Sequence, residues 1–378
     1  MKKIVHILVS SVFILIAGVC SAADVQVQTG FNYDWWDDNK DNNASQFYIP
    51  IRIMGWHEDF SLSILTAYAD THRHIGQENS SLNHLLDTKI NSSYAITGKL
   101  PVEILIGLDF NLPTGKTNLS KKELTLIMDP DLISINNFGE GFNINPTITI
   151  AKEWGRWVAG IGFGYLWRGE YDFSSDINIT DYDPGDIFNI NAEIRYYFSS
   201  NMYARLFGSH AWYGKDKVRG TDFYQEGDFS LLGLGVYYNQ MKKKWDAGLT
   251  LQAILRDKSK FQDTPGILVT EPNNIHGDEW IGDLFVRYFV NDKTALKTFV
   301  QGRLYTENDY PSNSPRFIGQ REKFSLGLGV SRILSPNIEA ELDVKGFVKH
   351  DDEIHFPEFQ SARRFRGFSV ALMLTGRF

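Results

Sequence analysis

Between Arg156 and Arg168 the sequence alternates strictly. Trp157, Ala159, Ile161, Phe163, Tyr165 and Trp167 share one parity, and Arg156, Val158, Gly160, Gly162, Gly164 and Arg168 share the other. A period of two is that of an extended strand, so one face is apolar throughout and the other is mixed. The two tryptophans stand ten residues apart. At about 3.3 Å per residue and a tilt near 40°, they mark off roughly 25 Å, the height of the apolar band of a strand that crosses a membrane between two aromatic girdles.

The same period runs from end to end. Val25 to Trp35, Phe47 to Ile53, Val102 to Leu112, Phe188 to Phe198, Trp245 to Leu255, Phe324 to Val330 and Ile338 to Val344 are its plainest stretches. Counting all such stretches predicts about sixteen antiparallel strands, with twelve to eighteen as the bounds on the count. Their connections alternate in length. Those near 55–59, 98–101, 152–155, 198–201, 240–244, 291–294 and 334–337 are short. Those at 37–43, 71–83, 113–140, 169–186, 214–228, 257–279, 307–320 and 350–365 are long and polar. A soluble sandwich has no reason to alternate connection length, whereas a barrel with short periplasmic turns and long external loops does. The fold expected is all-β, a closed antiparallel transmembrane barrel with both termini on the turn side. Pro50 and Pro146 lie inside predicted strands, where a proline removes a ladder bond, so both are expected at bulges or strand ends.

Residues 1–22 are read apart from this. Lys2 and Lys3 precede an apolar run, Ile7–Val19, and the small-residue stretch Cys20–Ala23. That is the layout of a cleaved secretory signal, which leaves 23–378 as one barrel domain. Cleavage would remove the single cysteine, so no disulfide is expected. The formal charge of −8 becomes two units more negative without the two lysines, a balance that argues against a nucleic-acid partner. The 9 Trp, 17 Tyr, 26 Phe and 32 Gly suit a large β protein with aromatic girdles and close-packed walls.

The chain ends Phe368-Ser-Val-Ala-Leu-Met-Leu-Thr-Gly-Arg-Phe378, with its apolar parity running to the last residue. This resembles the C-terminal signal of Gram-negative outer-membrane β-barrels, in which a final phenylalanine is read by the assembly machinery. The resemblance implies a place in the Gram-negative outer membrane and Phe378 as an assembly signal. It also implies outer-membrane lipid, lipopolysaccharide and the barrel-assembly machinery as partners. Monomer and homo-oligomer are both left open.

Sixteen strands about 4.8 Å apart close into a cylinder roughly 30 Å across, too wide for wall side chains to fill. The inward parity carries both signs of charge. Arg52, Lys89, Glu103, Asp109, Glu193, Arg195, Arg205, Arg256, Asp283, Arg287 and Arg303 are the expected pore-lining residues. The arginines either form a basic strip that favours anions or pair with neighbouring acids and stiffen the wall. The gap 113–140 differs from the other loops. Ser120-Lys-Lys-Glu123 is a capping box before Leu124, Leu126, Ile127, Met128, Leu132, Ile133 and Ile135. A short helix with an apolar face needs a surface, and wall residues such as Leu105, Val158 or Phe285 would supply one. Glu123, Asp129 and Asp131 would then stand near the passage. Its place between the fifth and sixth strands resembles the third loop of sixteen-stranded general porins, which folds inward as a constriction; a lid over the mouth is the other reading. Leu112-Pro-Thr-Gly115 and Gly141-Phe-Asn-Ile-Asn-Pro146, with the strand that follows, are similar to the outer-membrane channel family of meta-pathway phenol degradation. That likeness implies uptake of small molecules, aromatic ones among them.

No catalytic, phosphate-binding or metal-ligand motif is present. His72 and His74 lack a third ligand, and the oxygen-rich loops 37–43 and 181–186 complete no calcium pattern and read as solvated acidic loops, with Ca²⁺ binding as their other reading. No cofactor, no metal and no enzymatic activity are expected. The function expected is a channel for passive uptake of small solutes, aromatic or anionic among them. The alternative is a structural or interaction barrel plugged by a loop or a partner protein.

Overall fold

The computed structural model describes residues 24–239 and 244–378. The expected signal segment, and most of the short connection at 240–244, lie outside them. In chain order the strands are β1 (Asp24–Asp38), β2 (Asn43–His57), β3 (Phe60–Ile75), β4 (Glu78–Leu85), β5 (Thr88–Ile96) and β6 (Glu103–Leu112). After a one-turn helix, α1 (Lys121–Leu124), come β7 (Asn143–Trp154), β8 (Trp157–Arg168), β9 (Tyr182–Asp183), β10 (Ile187–Ser199) and β11 (Met202–Tyr213). Next are β12 (Asp216–Val218), β13 (Thr221–Gln225), β14 (Phe229–Asn239), β15 (Trp245–Arg256), β16 (Lys260–Thr264) and β17 (Ile267–Thr270). The chain finishes with β18 (Glu279–Asn291), β19 (Thr294–Tyr305), β20 (Arg321–Ser335), β21 (Ile338–Asp351) and β22 (Arg363–Arg377).

Sixteen of these strands pair antiparallel, each with its neighbour, and β22 pairs back onto β1 to close a barrel, with β4 as one extra strand in the same sheet. Closure reaches the last residue. Phe378 and Val25 exchange backbone hydrogen bonds of 2.8 and 3.0 Å, and the Phe378 ring is exposed on the outer face. With no open edge among these strands, backbone groups are satisfied within the wall, the condition for crossing lipid with strands. Register keeps one parity outward all the way round. Leu206 faces Leu234, Leu234 faces Leu251, Leu249 faces Leu284, and Ile106 faces Ile148. These side chains are exposed because their solvent is lipid, not because the fold failed to bury them. Aromatics flank that band. Trp157 meets Tyr196 at 4.6 Å and Trp245 meets Tyr288 at 4.5 Å near the short turns; Phe188 stacks on Trp212 at 5.4 Å near the long connections.

Three expectations need correction. Segment 71–83 is a β-hairpin and not a loop: β4 pairs with the outer half of β3, and β5 with the inner half. β4 and β5 are one wall strand interrupted at Leu86 and Asp87, with Leu86 N still donating to Ala67 O at 2.8 Å. The connections 169–186, 214–228 and 257–279 are also not plain loops. They contribute β9, β12, β13, β16 and β17 to a second, five-stranded sheet beyond the rim. Finally, Pro50 and Pro146 sit mid-strand with no register shift. The β1–β2 ladder skips only Pro50 and Ile49, and the β7–β8 ladder only Pro146 and Asn145. Each proline keeps its pairing with the other neighbour, Ala67 and Leu108. A missing N–H opens one ladder locally, which a strand paired on both sides tolerates.

Candidate functional site

The inner face is built by the opposite parity of the same strands. Across β10, β11, β14, β15, β18, β19, β20, β21 and β22 one inward row reads Glu193, Phe207, Gly233, Gln252, Ile281, Arg303, Lys323, Lys349 and Phe365. All eleven residues expected to line a pore lie on this face. Arg52 stands opposite Gln28 and donates to Ser63 at 3.4 Å, and Lys89 lies beside Asn111. Glu103 lies opposite Ala151 near the turn side, and Asp109 accepts from Asn91 and Asn145 at 2.9 and 3.2 Å. Glu193 bridges Arg195 and Arg205, Arg256 pairs with Glu226 at 3.5 Å, and Asp283 accepts from Gln301 at 2.7 Å. Arg287 lies between Asp246 and Lys297 in register, and no carboxylate among the described residues comes within 4.0 Å of it. Pairing with acids therefore accounts for most of these arginines.

Segment 113–140 packs against this inward face, though not where expected. Met128, Leu132 and Ile133 cluster with Trp36, Ala44, Phe347 and Phe365 of β1, β2, β21 and β22. Leu119, Leu126 and Phe138 cluster with Leu82 of β4. Leu105 takes no part and stays 42 % exposed. The wall that receives the segment is thus the β19–β4 side, where inward Trp36, Phe347 and Phe365 offer more apolar area than the glycine-rich β8 side.

Charge fastens what the apolar contacts place. Asp131, only 2 % exposed, pairs with Arg303 at 2.6 Å and Lys323 at 3.7 Å. Asp129 meets Lys349 at 3.0 Å and Arg321 at 3.8 Å. Burial pushes the Asp129 carboxyl up, but Lys349, the Asp131 backbone N–H and Arg321 outweigh it and hold the group below its ordinary value. Glu123 closes the capping box with Ser120 and takes Lys116 at 2.5 Å. Asp129 and Asp131 therefore hold the segment to the wall, and Glu123 is paired within the segment. Arg303, expected to line a pore, is half of the same fastening.

Backbone contacts complete the docking. Gln46 Nε2 donates to Ile135 O at 2.9 Å, Ile135 N donates to Gln46 Oε1 at 2.8 Å, and Ser134 N donates to Asp34 Oδ2 at 3.0 Å. Arg73 donates to Thr125 O. Asp87, at the break between β4 and β5, accepts from Gly115 N at 2.8 Å and from Glu140 N and Asn111 Nδ2 at 2.7 Å each, gripping both ends of the segment. Trp36, Gln46, Asp87 and Lys349 were missed by sequence reasoning. Parity alone could have put Trp36, Gln46 and Lys349 inside, but nothing in the sequence joins them to a segment some ninety residues or more away.

Space remains on the other side. A cavity of about 450 Å³ is bounded by Ser134 of the segment and by Tyr237, Asp283, Phe285, Phe299 and Lys345 of the wall. On β8, a Cβ at Gly162 or Gly164 would crowd the amide of Asn191 or Asn189, so glycine there lets inward side chains lie close to the backbone.

No protein-family model and no curated protein matches this sequence. Among solved structures, the chain is similar to an anion-selective porin from Comamonas acidovorans, at 13 % identity over 94 % of this chain and 99 % of that one, TM-score 0.43. It is similar to OmpT, an outer membrane protein of Vibrio cholerae, at 10 % identity over 95 % and 98 %, TM-score 0.44. It is also similar to the CymD monoaromatic hydrocarbon channel, at 11 % identity over 94 % and 88 %, TM-score 0.44. Likeness this distant says nothing about a solute. The closed wall and its apolar band by themselves make this chain a membrane-spanning barrel of the outer-membrane type.

Proposed function

We propose that the protein is a passive channel for small solutes in the outer membrane of a Gram-negative bacterium, with segment 113–140 as its constriction. The observation that carries this reading is that the segment is docked inside the wall with space left beside it. It is fastened to β19–β22 and β1–β4, its residues 118–121 bond the connection 169–186, and a cavity of about 450 Å³ continues along β14–β22 beside it. A polar wall of mixed charge around such space suits water and dissolved solutes. Arg52, Lys89, Glu103, Asp109, Glu193, Arg195, Arg205, Arg256, Asp283 and Arg287 would line the route. Phe378 would serve assembly, with lipid and lipopolysaccharide around the belt. The reading involves no catalysis.

The reading is tested by conductance of the purified protein in planar bilayers. Stepwise KCl currents are expected from the wild type. A second reading, a plugged structural barrel, draws on the depth of the fastening, in which Leu126 is 0 % exposed and Asp131 2 %. Silence from both the wild type and a protein lacking 118–137 would favour it and end the channel reading.

A further inference from the structure

The inner wall opposite the fastened segment carries arginines stacked on rings at successive heights. Near the rim, the Arg256 guanidinium lies 5.0 Å from the Phe229 ring centroid. Lower down, Arg205 lies 4.3 Å from Phe207 and 5.0 Å from Tyr237. Lower still, Arg195 lies 5.8 Å from Tyr203, whose ring stacks on Tyr237 at 5.0 Å and 17°. From Phe229 to Tyr237 along β14 is roughly 20 Å of height at about 3.3 Å per residue and a tilt near 40°. The series thus covers most of the apolar belt.

Glycines set these rings against the wall. A Cβ on Gly233 would overlap the Phe207 ring, and Cβ atoms on Gly235 and Gly248 would come within 2.6 and 2.8 Å of the Tyr237 ring. The Phe207 ring thus lies on the bare backbone of Gly233 and meets the Arg205 guanidinium, and Tyr237 is held between glycine backbone and the Tyr203 ring. The series also has an outer entrance. A cavity of about 470 Å³ under the five-stranded sheet is lined by tyrosines such as Tyr171 and Tyr224, by Arg168 and Arg256, and by Asp216 and Glu226, so Arg256 belongs to both. Arg256 is balanced by Glu226 at the rim, but lower down Glu193 alone bridges Arg195 and Arg205, leaving one net positive charge at that level.

The geometry points to a track for planar organic anions, aromatic carboxylates above all, along β10, β11, β14 and β15. This rests on the channel reading and specifies its solute. A compact inorganic anion would use only the charge, and a neutral sugar only the rings. A flat ring bearing a carboxylate uses both, because a guanidinium stacks on a ring while its N–H edge pairs with the carboxylate.

The test is a reversal potential with potassium benzoate on one side of the bilayer and potassium cyclohexanecarboxylate on the other. The two anions match in charge and nearly in size and differ in flatness. Wild type should favour benzoate by roughly threefold or more, the scale of one partly solvated stacking contact. Tyr237→Leu, checked for folding by heat-modifiability, should bring the ratio toward one. Equal permeability in a wild type that conducts KCl overturns the track and leaves the channel standing. Equal slowing of KCl current by neutral benzamide and by benzoate also overturns it, since the arginines would then be idle. A wild type with no KCl current overturns both.

Discussion

At the scale of single residues, inward arginines that look alike in sequence are bound to different things. Arg287 has no ion-pair partner within 4.0 Å among the described residues, so Arg287→Glu should shift the reversal potential in a KCl gradient toward cations. Arg303→Glu should do something else. It removes the 2.6 Å partner of Asp131, a carboxylate 2 % exposed, and puts a like charge there. Lys323 remains 3.7 Å from Asp131, so the cost stays below the roughly 3–5 kcal/mol of a fully stranded buried charge. The expected result is a larger, noisier conductance, with selectivity changed only as a consequence; a pure selectivity shift at unchanged conductance would show that Arg303 does not hold the segment. Asp129 adds a pH dependence. Its carboxyl is held below the ordinary 3.8, so it favours the docked segment at every pH above that value, and the contribution fades as pH falls through the lowered one. Conductance should therefore stay level from neutrality to about pH 4 and rise only below it. A rise already at pH 6 would assign the fastening to other groups.

At the scale of elements, segment 113–140 is the part whose removal is most informative. Its capping box makes only a four-residue helix, Lys121–Leu124, far too short to be stable alone. What orders the segment is apolar contact with Trp36, Phe347 and Phe365 and the grip of Asp87 on Gly115 and Glu140. Deleting about 118–137 should leave the wall intact and raise single-channel conductance clearly. Unchanged conductance with a folded barrel would mean that the segment does not narrow the route.

At the scale of the whole molecule, stability depends on closure. β1 and β22 pair from Gln26 with Arg377 to Asp38 with Phe365, and Phe378 adds the last backbone bonds to Val25. Two terminal hydrogen bonds are worth about 1–3 kcal/mol together, little in a wall this long. Removing Phe378 should accordingly lower the yield of folded, heat-modifiable barrel in outer membranes far more than it lowers the melting temperature of barrel that has formed. Equal yields from both proteins would rule out an assembly role.

Most of the wall was legible in the sequence, because a side-chain period of two is a local property and a one-residue slip would put every inward charge into lipid. Trp157 to Trp167, the alternating connection lengths and the parity of Arg52, Glu193 and Arg287 therefore predict strands, inner face and closure. The capping box at Ser120 was legible for the same reason. The partners of that helix were not. Asp131 meets Arg303 and Lys323 from a hundred and seventy residues or more along the chain, and Gln46 meets Ile135 across eighty-nine. Such contacts depend on which wall offers the segment more apolar area, and that is a property of the closed cylinder. The hairpin at 71–83 and the five-stranded sheet beyond the rim escaped for a related reason: their strands outside the belt are too short or too polar to carry a run of apolar alternation. Local periodicity determined the barrel; only the tertiary structure decided which half of its interior is filled and which is left open.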